Sequence, residues 1–120
     1  MSLKLKSSEQ RIGCFLIKLE GRLDTTTHQQ LSAMLEMIFS TPVRAITLDF
    51  AGLDYMSSMG LRVLMQMMKR LAAQNGSLLI SNAKDSIQAV LEMANVLPSM
   101  SLFASVEEAD AYLDTIQQNA

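Results

Sequence analysis

Tryptophan is absent from this chain, and cysteine and histidine occur once each. A single cysteine, Cys14, can form no intramolecular disulfide, so the chain does not belong with disulfide-stapled secreted domains. Cys14 lies in the apolar run Cys14-Phe15-Leu16-Ile17 and reads as a small buried hydrophobe. The lone histidine, His28, has no second ligand type clustered around it, which leaves metal binding and histidine-based catalysis unsupported. No apolar run reaches membrane-spanning length, and the N-terminal residues lack the apolar core of a signal peptide. These absences lead to the expectation of a cytoplasmic protein with no direct membrane insertion. An excess of either sign of charge is also lacking. The formal net charge is −2, and Lys69-Arg70 is the only adjacent basic pair, too little to track a phosphate backbone. No nucleic-acid partner is expected.

What is present is enough for one packed core. Of 120 residues, 49% are apolar and 18% charged. That length and balance suit a single domain spanning residues 1–120. Segments 3–8 and 14–20 read as strands, with a turn at 9–13, hence a hairpin. Gly21-Arg22-Leu23-Asp24 reads as a loop, and Asp24 as the N-cap of a helix from Thr25 to Phe39. That helix places Leu31, Met34, Leu35 and Ile38 on one face. Pro42 ends the region. Ala45 to Phe50 reads as a buried strand and Ala51 to Ser57 as a loop. A long helix from Ser58 to Gln74 is closed by Asn75-Gly76, which tolerate left-handed backbone. Ser77 to Ser81 is the next strand. A helix from Asp85 to Ala94 follows, with Asn95 as its terminator and Pro98 just beyond. Leu102-Phe103 is a short strand, and Ser105-Val106-Glu107-Glu108 has the spacing of a capping box for a last helix to Gln117. The fold class is therefore α/β, with a mixed, mainly parallel sheet, an N-terminal antiparallel hairpin and about four helices.

The segment Asp54-Tyr55-Met56-Ser57-Ser58-Met59-Gly60-Leu61 stands at a strand-to-helix junction. Two hydroxyls precede a helix that carries glycine in its first turn. One serine can cap the helix, and the glycine can permit close packing. A helix start also favours added negative charge. Spacing alone leaves the structural and the functional readings both open.

This segment resembles the signature of the STAS domain family, most closely its stand-alone anti-sigma factor antagonist branch. The family carries an aspartate-serine-serine-glycine-leucine run after a strand and at a helix start. The aligned residues here are Ser57, Ser58, Met59, Gly60 and Leu61. Ser57 stands in place of the acidic residue and Met59 in place of the second serine. Gly21-Arg22-Leu23-Asp24 resembles the family's glycine-x-leucine-aspartate loop. The segment from Leu91 to Val96 resembles its leucine-rich helix end, with Asn95 where glycine is usual. Phe103 through Ala109 resembles its last strand and capped helix. The resemblance implies a non-enzymatic regulator that binds and sequesters a kinase-type anti-sigma factor, with phosphorylation at Ser58 as the switch. It also implies a loop surface at Asp24, Thr25 and Thr26 beside Ser57 and Ser58, and no cofactor. STAS domains also serve as docking subunits of lipid- or anion-transport complexes, which is the alternative reading. The sequence leaves the oligomeric state open.

The long helix carries two apolar stripes. Leu61, Leu64, Met65, Met68, Leu71 and Ala72 form the expected core face. Met59, Val63 and Met67 fall nearly opposite. Either a neighbouring helix covers this second stripe, or it is an exposed contact strip bordered by Arg62, Gln66, Lys69 and Arg70. Methionines suit adaptable protein contacts, and the partner surface expected is Asp24, Thr25, Thr26, Ser57, Met59, Arg62, Val63 and Met67.

Catalytic patterns are not met. A hydrolase elbow needs glycine two residues before its serine, and position 56 is methionine. Asp49 and Asp54 lack the acidic pair of a receiver domain. No GxxxxGK[ST] run occurs. Glu107, Glu108 and Asp110 read as first-turn helix acids.

Overall fold

The computed structural model describes residues 2–93, 101–103 and 105–118. Its elements are β1 (Leu3–Arg11), β2 (Cys14–Leu23), α1 (His28–Ile38), β3 (Ala45–Met56), α2 (Ser58–Ala73), β4 (Ser77–Ser81), α3 (Asp85–Met93), β5 (Ser101–Phe103) and α4 (Val106–Gln118). One five-stranded sheet has the order β1-β2-β3-β4-β5. β1 runs antiparallel to β2, and β2 through β5 are parallel to one another. The expected α/β architecture with its antiparallel hairpin is therefore the observed one. The expected terminator Asn95 and Pro98 lie outside the described residues.

Strand alternation divides the core. Ile17, Leu19, Ile46, Leu48, Phe50, Leu78 and Ile80 share one sheet face. They pack with Leu31, Leu35 and Ile38 of α1, Val63, Leu64, Met67 and Leu71 of α2, and Ile87 and Leu91 of α3. Cys14, Ala45 and Leu79 point to the opposite face, where Ala109 and Leu113 of α4 cover them. Cys14 is buried there as a small hydrophobe. Sequential strand order with right-handed crossovers puts the first three helices on one side. The fourth has no strand to return to among the described residues and caps the other side.

Two differences from the sequence reading shape the functional end. β2 and β3 run on through segments read as loops, ending at Leu23 and Met56. Glu20, Gly21, Arg22 and Leu23 pair with Gly52, Leu53, Tyr55 and Met56, with register shifts that break strict alternation. These extensions rest on pairing between segments about thirty residues apart, so no local pattern announces them. The second difference concerns α2. Val63 and Met67 are buried, at 4% and 1% exposure, in the seam where α1 brings Leu35 and Phe39 against them. They belong to the core and do not form the exposed contact strip expected of them. Met65 and Ala72, expected in the core, are exposed. The helix buries Gly60, Val63, Leu64, Met67 and Leu71 because it meets both the sheet and a neighbouring helix.

Candidate functional site

The extended β2 and β3 end side by side, with Leu23 opposite Met56. The Ser57 backbone N–H donates to the Leu23 carbonyl at 2.9 Å. This bond ties the start of α2 to the start of the loop that leads into α1. The site is thus assembled at the C-terminal ends of two parallel strands, where α/β folds leave their loops and helix N-termini free.

On the α2 side, Ser57 is the N-cap. Its hydroxyl accepts from the Gly60 N–H at 3.3 Å, and its carbonyl accepts from the Leu61 N–H at 3.0 Å. Ser58 is the first helical residue and is exposed. Its hydroxyl makes no hydrogen bond to the described residues. The cap role therefore falls on Ser57, which leaves the Ser58 hydroxyl accessible. No acidic residue occupies the first turn of α2. The positive end of the helix dipole is uncompensated by carboxylates on its own turn. Gly60 is explained by close approach. A Cβ there would lie 2.7 Å from Leu23 Cγ and 3.0 Å from the Leu23 carbonyl oxygen.

On the loop side, Asp24 organises the turn at 25–27. Its Oδ1 accepts from the Thr26 N–H at 2.9 Å, the Thr26 hydroxyl at 2.8 Å and the Thr27 N–H at 3.1 Å. The Thr27 hydroxyl donates to the Arg22 carbonyl at 2.7 Å and accepts from the Asp24 N–H at 2.9 Å. Hydrogen bonds from Thr26, first from its hydroxyl and then from its backbone, hold the Asp24 carboxyl down to about 2. Asp24 was expected as the cap of α1 itself. It caps the preceding turn instead, and α1 starts at His28 behind Thr27. His28 is half-buried at that position.

Asp24, Thr25, Thr26, Ser57, Ser58, Met59 and Arg62 therefore lie on the two elements that meet at Leu23. Thr25, Thr26, Ser58 and Arg62 are exposed, while Asp24, Ser57 and Met59 are half-buried. Val63 and Met67 lie beneath this surface in the core. Arg22 and Tyr55 join the site without having been expected there. The Arg22 guanidinium carbon stands 4.1 Å from the Tyr55 ring centroid, and its Nε is 3.6 Å from Asp24 Oδ2. Tyr55 is 41% exposed, so the pair forms a polar-aromatic shoulder to the site. Asp54 pairs with Lys84 on the other side. Arginine and tyrosine directly opposite each other on neighbouring strands would have been the signal, had the strand extensions been visible. Among the described residues, no group of three or more His, Cys, Asp or Glu could hold a metal ion. No described helix is long and apolar enough to cross a membrane.

The family model for the STAS domain matches residues 6–109. BtrV of Bordetella bronchiseptica, a candidate anti-sigma factor antagonist, is 31% identical over 103 residues, covering 86% of this chain and 89% of BtrV. The anti-sigma factor antagonist SpoIIAA in its unphosphorylated form superposes with a TM-score of 0.83 at 24% identity, over 93% of this chain and 97% of SpoIIAA. The Bacillus cell fate determinant SpoIIAA in its phosphorylated form gives a TM-score of 0.75 at 25% identity, over 92% and 99% of the two chains. The fold, the strand-to-helix serine site and these matches agree, and the chain belongs to the STAS domain family, in the company of anti-sigma factor antagonists.

Proposed function

We propose that this chain is a non-enzymatic anti-sigma factor antagonist that binds a serine-kinase anti-sigma factor and is switched by phosphorylation of Ser58. The single observation that carries the reading is the exposed Ser58 hydroxyl at the first position of α2, beside a capped and half-buried Ser57. A kinase needs a hydroxyl it can reach, and only the second of these two serines offers one free of a capping role. The unmodified protein sequesters its partner through the surface formed by Asp24, Thr25, Thr26, Ser57, Met59 and Arg62. A phosphate adds about −1.5 to −2 charges at neutral pH. The N-terminus of α2 tolerates that charge within the free protein. An interface shaped around a neutral hydroxyl does not, so the partner is released by desolvation and repulsion without refolding. Incubation of this chain with ATP and a serine-kinase anti-sigma factor that binds it, followed by mass spectrometry of the peptides, tests the assignment. Phosphate on Ser58 that disappears in Ser58→Ala and persists in Ser57→Ala is the expected result. Phosphate on Ser57 alone, or on neither serine with an active kinase, overturns it.

A further inference from the structure

The hairpin that opens the fold has a side that the serine site does not use. β1 is an edge strand of nine residues whose only strand neighbour among the described residues is β2. From residue 3 to residue 8 its outer edge presents main-chain N–H and C=O groups to which another strand can bond. The two flanks of that edge differ in chemistry. On one face Lys4 stands opposite Glu20, and Lys6 stands directly opposite Lys18. All four are exposed, and with Leu5 they line a depression of about 580 Å³. Like charges directly opposed across a strand pair are unfavourable. On its inner side Lys18 also stands opposite Asp49 of β3, so three lysines meet two carboxylates and the excess positive charge lies toward the β1 edge, at Lys4 and Lys6, in a chain whose net charge is −2. On the other face Ser7 and Glu9 of β1 and Phe15 of β2 floor a groove of about 490 Å³ walled by Met34, Met37 and Ile38 of α1, and the Glu9 carboxylate is turned to the hairpin, where it accepts from the Gly13 N–H. Met37 is 76% exposed there.

We propose that the free edge of β1 docks an extended segment of a partner protein in which acidic and apolar residues alternate. Main-chain pairing with β1 supplies the strand addition. Alternate side chains of an added strand point to opposite faces. Carboxylates at alternate positions then meet Lys4, Lys6 and Lys18, and the intervening apolar side chains enter the methionine-walled groove. A row of backbone donors and acceptors fits a peptide chain and no other anion. A second copy of this chain is a poor occupant, because two β1 edges laid antiparallel would bring their lysines onto the same flank. The surface is separate from Ser58, and the proposal does not rest on the phosphorylation reading.

The test titrates the full chain with a short synthetic peptide alternating glutamate and valine, a block-order peptide of the same composition and a lysine-valine counterpart. Amide NMR and hydrogen exchange report the site. The alternating acidic peptide is expected to slow exchange at β1 amides, to bind more weakly as salt rises, and to discriminate against both controls. The exposed double variant Lys4→Glu/Lys6→Glu should lose affinity for it by at least about tenfold and gain affinity for the lysine-valine peptide, since inverted charges set like against like. Absence of β1 protection at about 1 mM peptide, the weak end of specific association, overturns the proposal. So does equal binding of the block-order peptide, or unchanged binding by the double variant. Protection of β1 amides by concentration-dependent self-association without peptide would assign the edge to a second copy and overturn it as well. If the lysines serve only to keep the edge from aggregating, no peptide binds and their replacement by threonine lowers solubility alone.

Discussion

Gly60 lies against Leu23 so closely that a methyl group on it would meet Leu23 Cγ at 2.7 Å and the Leu23 carbonyl oxygen at 3.0 Å. The same carbonyl accepts the Ser57 N–H. Side chain, backbone and hydrogen bond therefore all fix the first turn of α2 onto the end of β2. Glycine inside a helix normally costs about 0.5–1 kcal/mol relative to alanine. Here the usual gain from Gly60→Ala should be reversed, because the added methyl must displace backbone as well as a side chain. The expected result is a net loss of about 1–3 kcal/mol, the range for overpacking, read from urea denaturation. Leu23→Ala combined with Gly60→Ala should recover part of that loss, since the two sites touch and their effects are coupled. A Gly60→Ala protein as stable as the parent would show that the approach is not tight.

Met67 and Met59 separate core from surface on one helix. Met67 is 1% exposed, and Met59 is half-buried at the start of α2. Met67→Ala should cost about 2–5 kcal/mol, and Met67→Lys should abolish cooperative folding because an unpaired ammonium cannot be buried there. Met59→Lys should fold and weaken partner binding. Thermal melts of the three variants, with partner pull-down for the Met59 variant, distinguish the roles. A cooperatively folded Met67→Lys protein would contradict the packing of α1 on α2.

Most of the element order was legible, and the places where it was not share a cause. Leu31, Leu35 and Ile38 repeat at helical spacing, and Asn75 takes the left-handed backbone expected after α2, with φ of 57°. Ser105 accepts from the Glu108 N–H at 3.2 Å, as its capping spacing implies. Each of these signals is local. The ends of β2 and β3 are not local: Arg22 is held in a strand by Tyr55, and neither segment has a clean alternation because the pairing shifts register between Gly21 and Arg22. The serine site itself was visible as residue types at a junction. Which serine caps and which is exposed depends on the backbone, since either hydroxyl could bond a helix N–H. Val63 and Met67 were ambiguous for the same reason as the strand ends. Their burial is decided by Leu35 of α1 and by Phe39 at its C-cap, and no reading of α2 alone supplies it.

Asp24 gives a pH signature. Its carboxyl is lowered from 3.8 to about 2, with Thr26 the leading cause. A carboxylate held below its unfolded value binds fewer protons in the native state, so it contributes stability above about pH 4 that fades as pH falls toward about 2. Asp24→Asn should keep some of the turn hydrogen bonding and lose this dependence. Denaturation midpoints of the two proteins at pH 5 and at low pH, with NMR titration of the Asp24 carboxyl, measure the effect. An Asp24 that titrates at the ordinary carboxylate value would remove its role in ordering the turn at 25–27.

Ser57 should behave as a cap and nothing more in the free protein. Ser57→Ala removes the acceptor for the Gly60 N–H and should cost about 0.5–2 kcal/mol. Ser57→Asp should retain most of that stability, since aspartate caps as well as serine. It also places an acid where the aligned family position carries one. Urea denaturation of both variants checks the cap, and an unchanged midpoint in Ser57→Ala would show that it is not made.

Ser58 carries the complementary expectation. A negative charge at the first position of α2 meets free helix N–H groups and no first-turn carboxylate. Ser58→Glu should therefore leave the fold intact and add stability of about 0.3–1 kcal/mol at low ionic strength, shrinking as salt screens the dipole. Ser58→Ala should match the parent in stability, because the hydroxyl makes no hydrogen bond to the described residues. In partner binding the two variants should diverge. Ser58→Ala should bind without regard to kinase and ATP, and Ser58→Glu should bind weakly. The combination is diagnostic, since a merely structural serine would move stability and binding together. Calorimetry of each variant with the partner, set beside its melting temperature at low and high salt, separates the two. If Ser58→Glu unfolds, or binds as tightly as Ser58→Ala, release does not act through charge at this position.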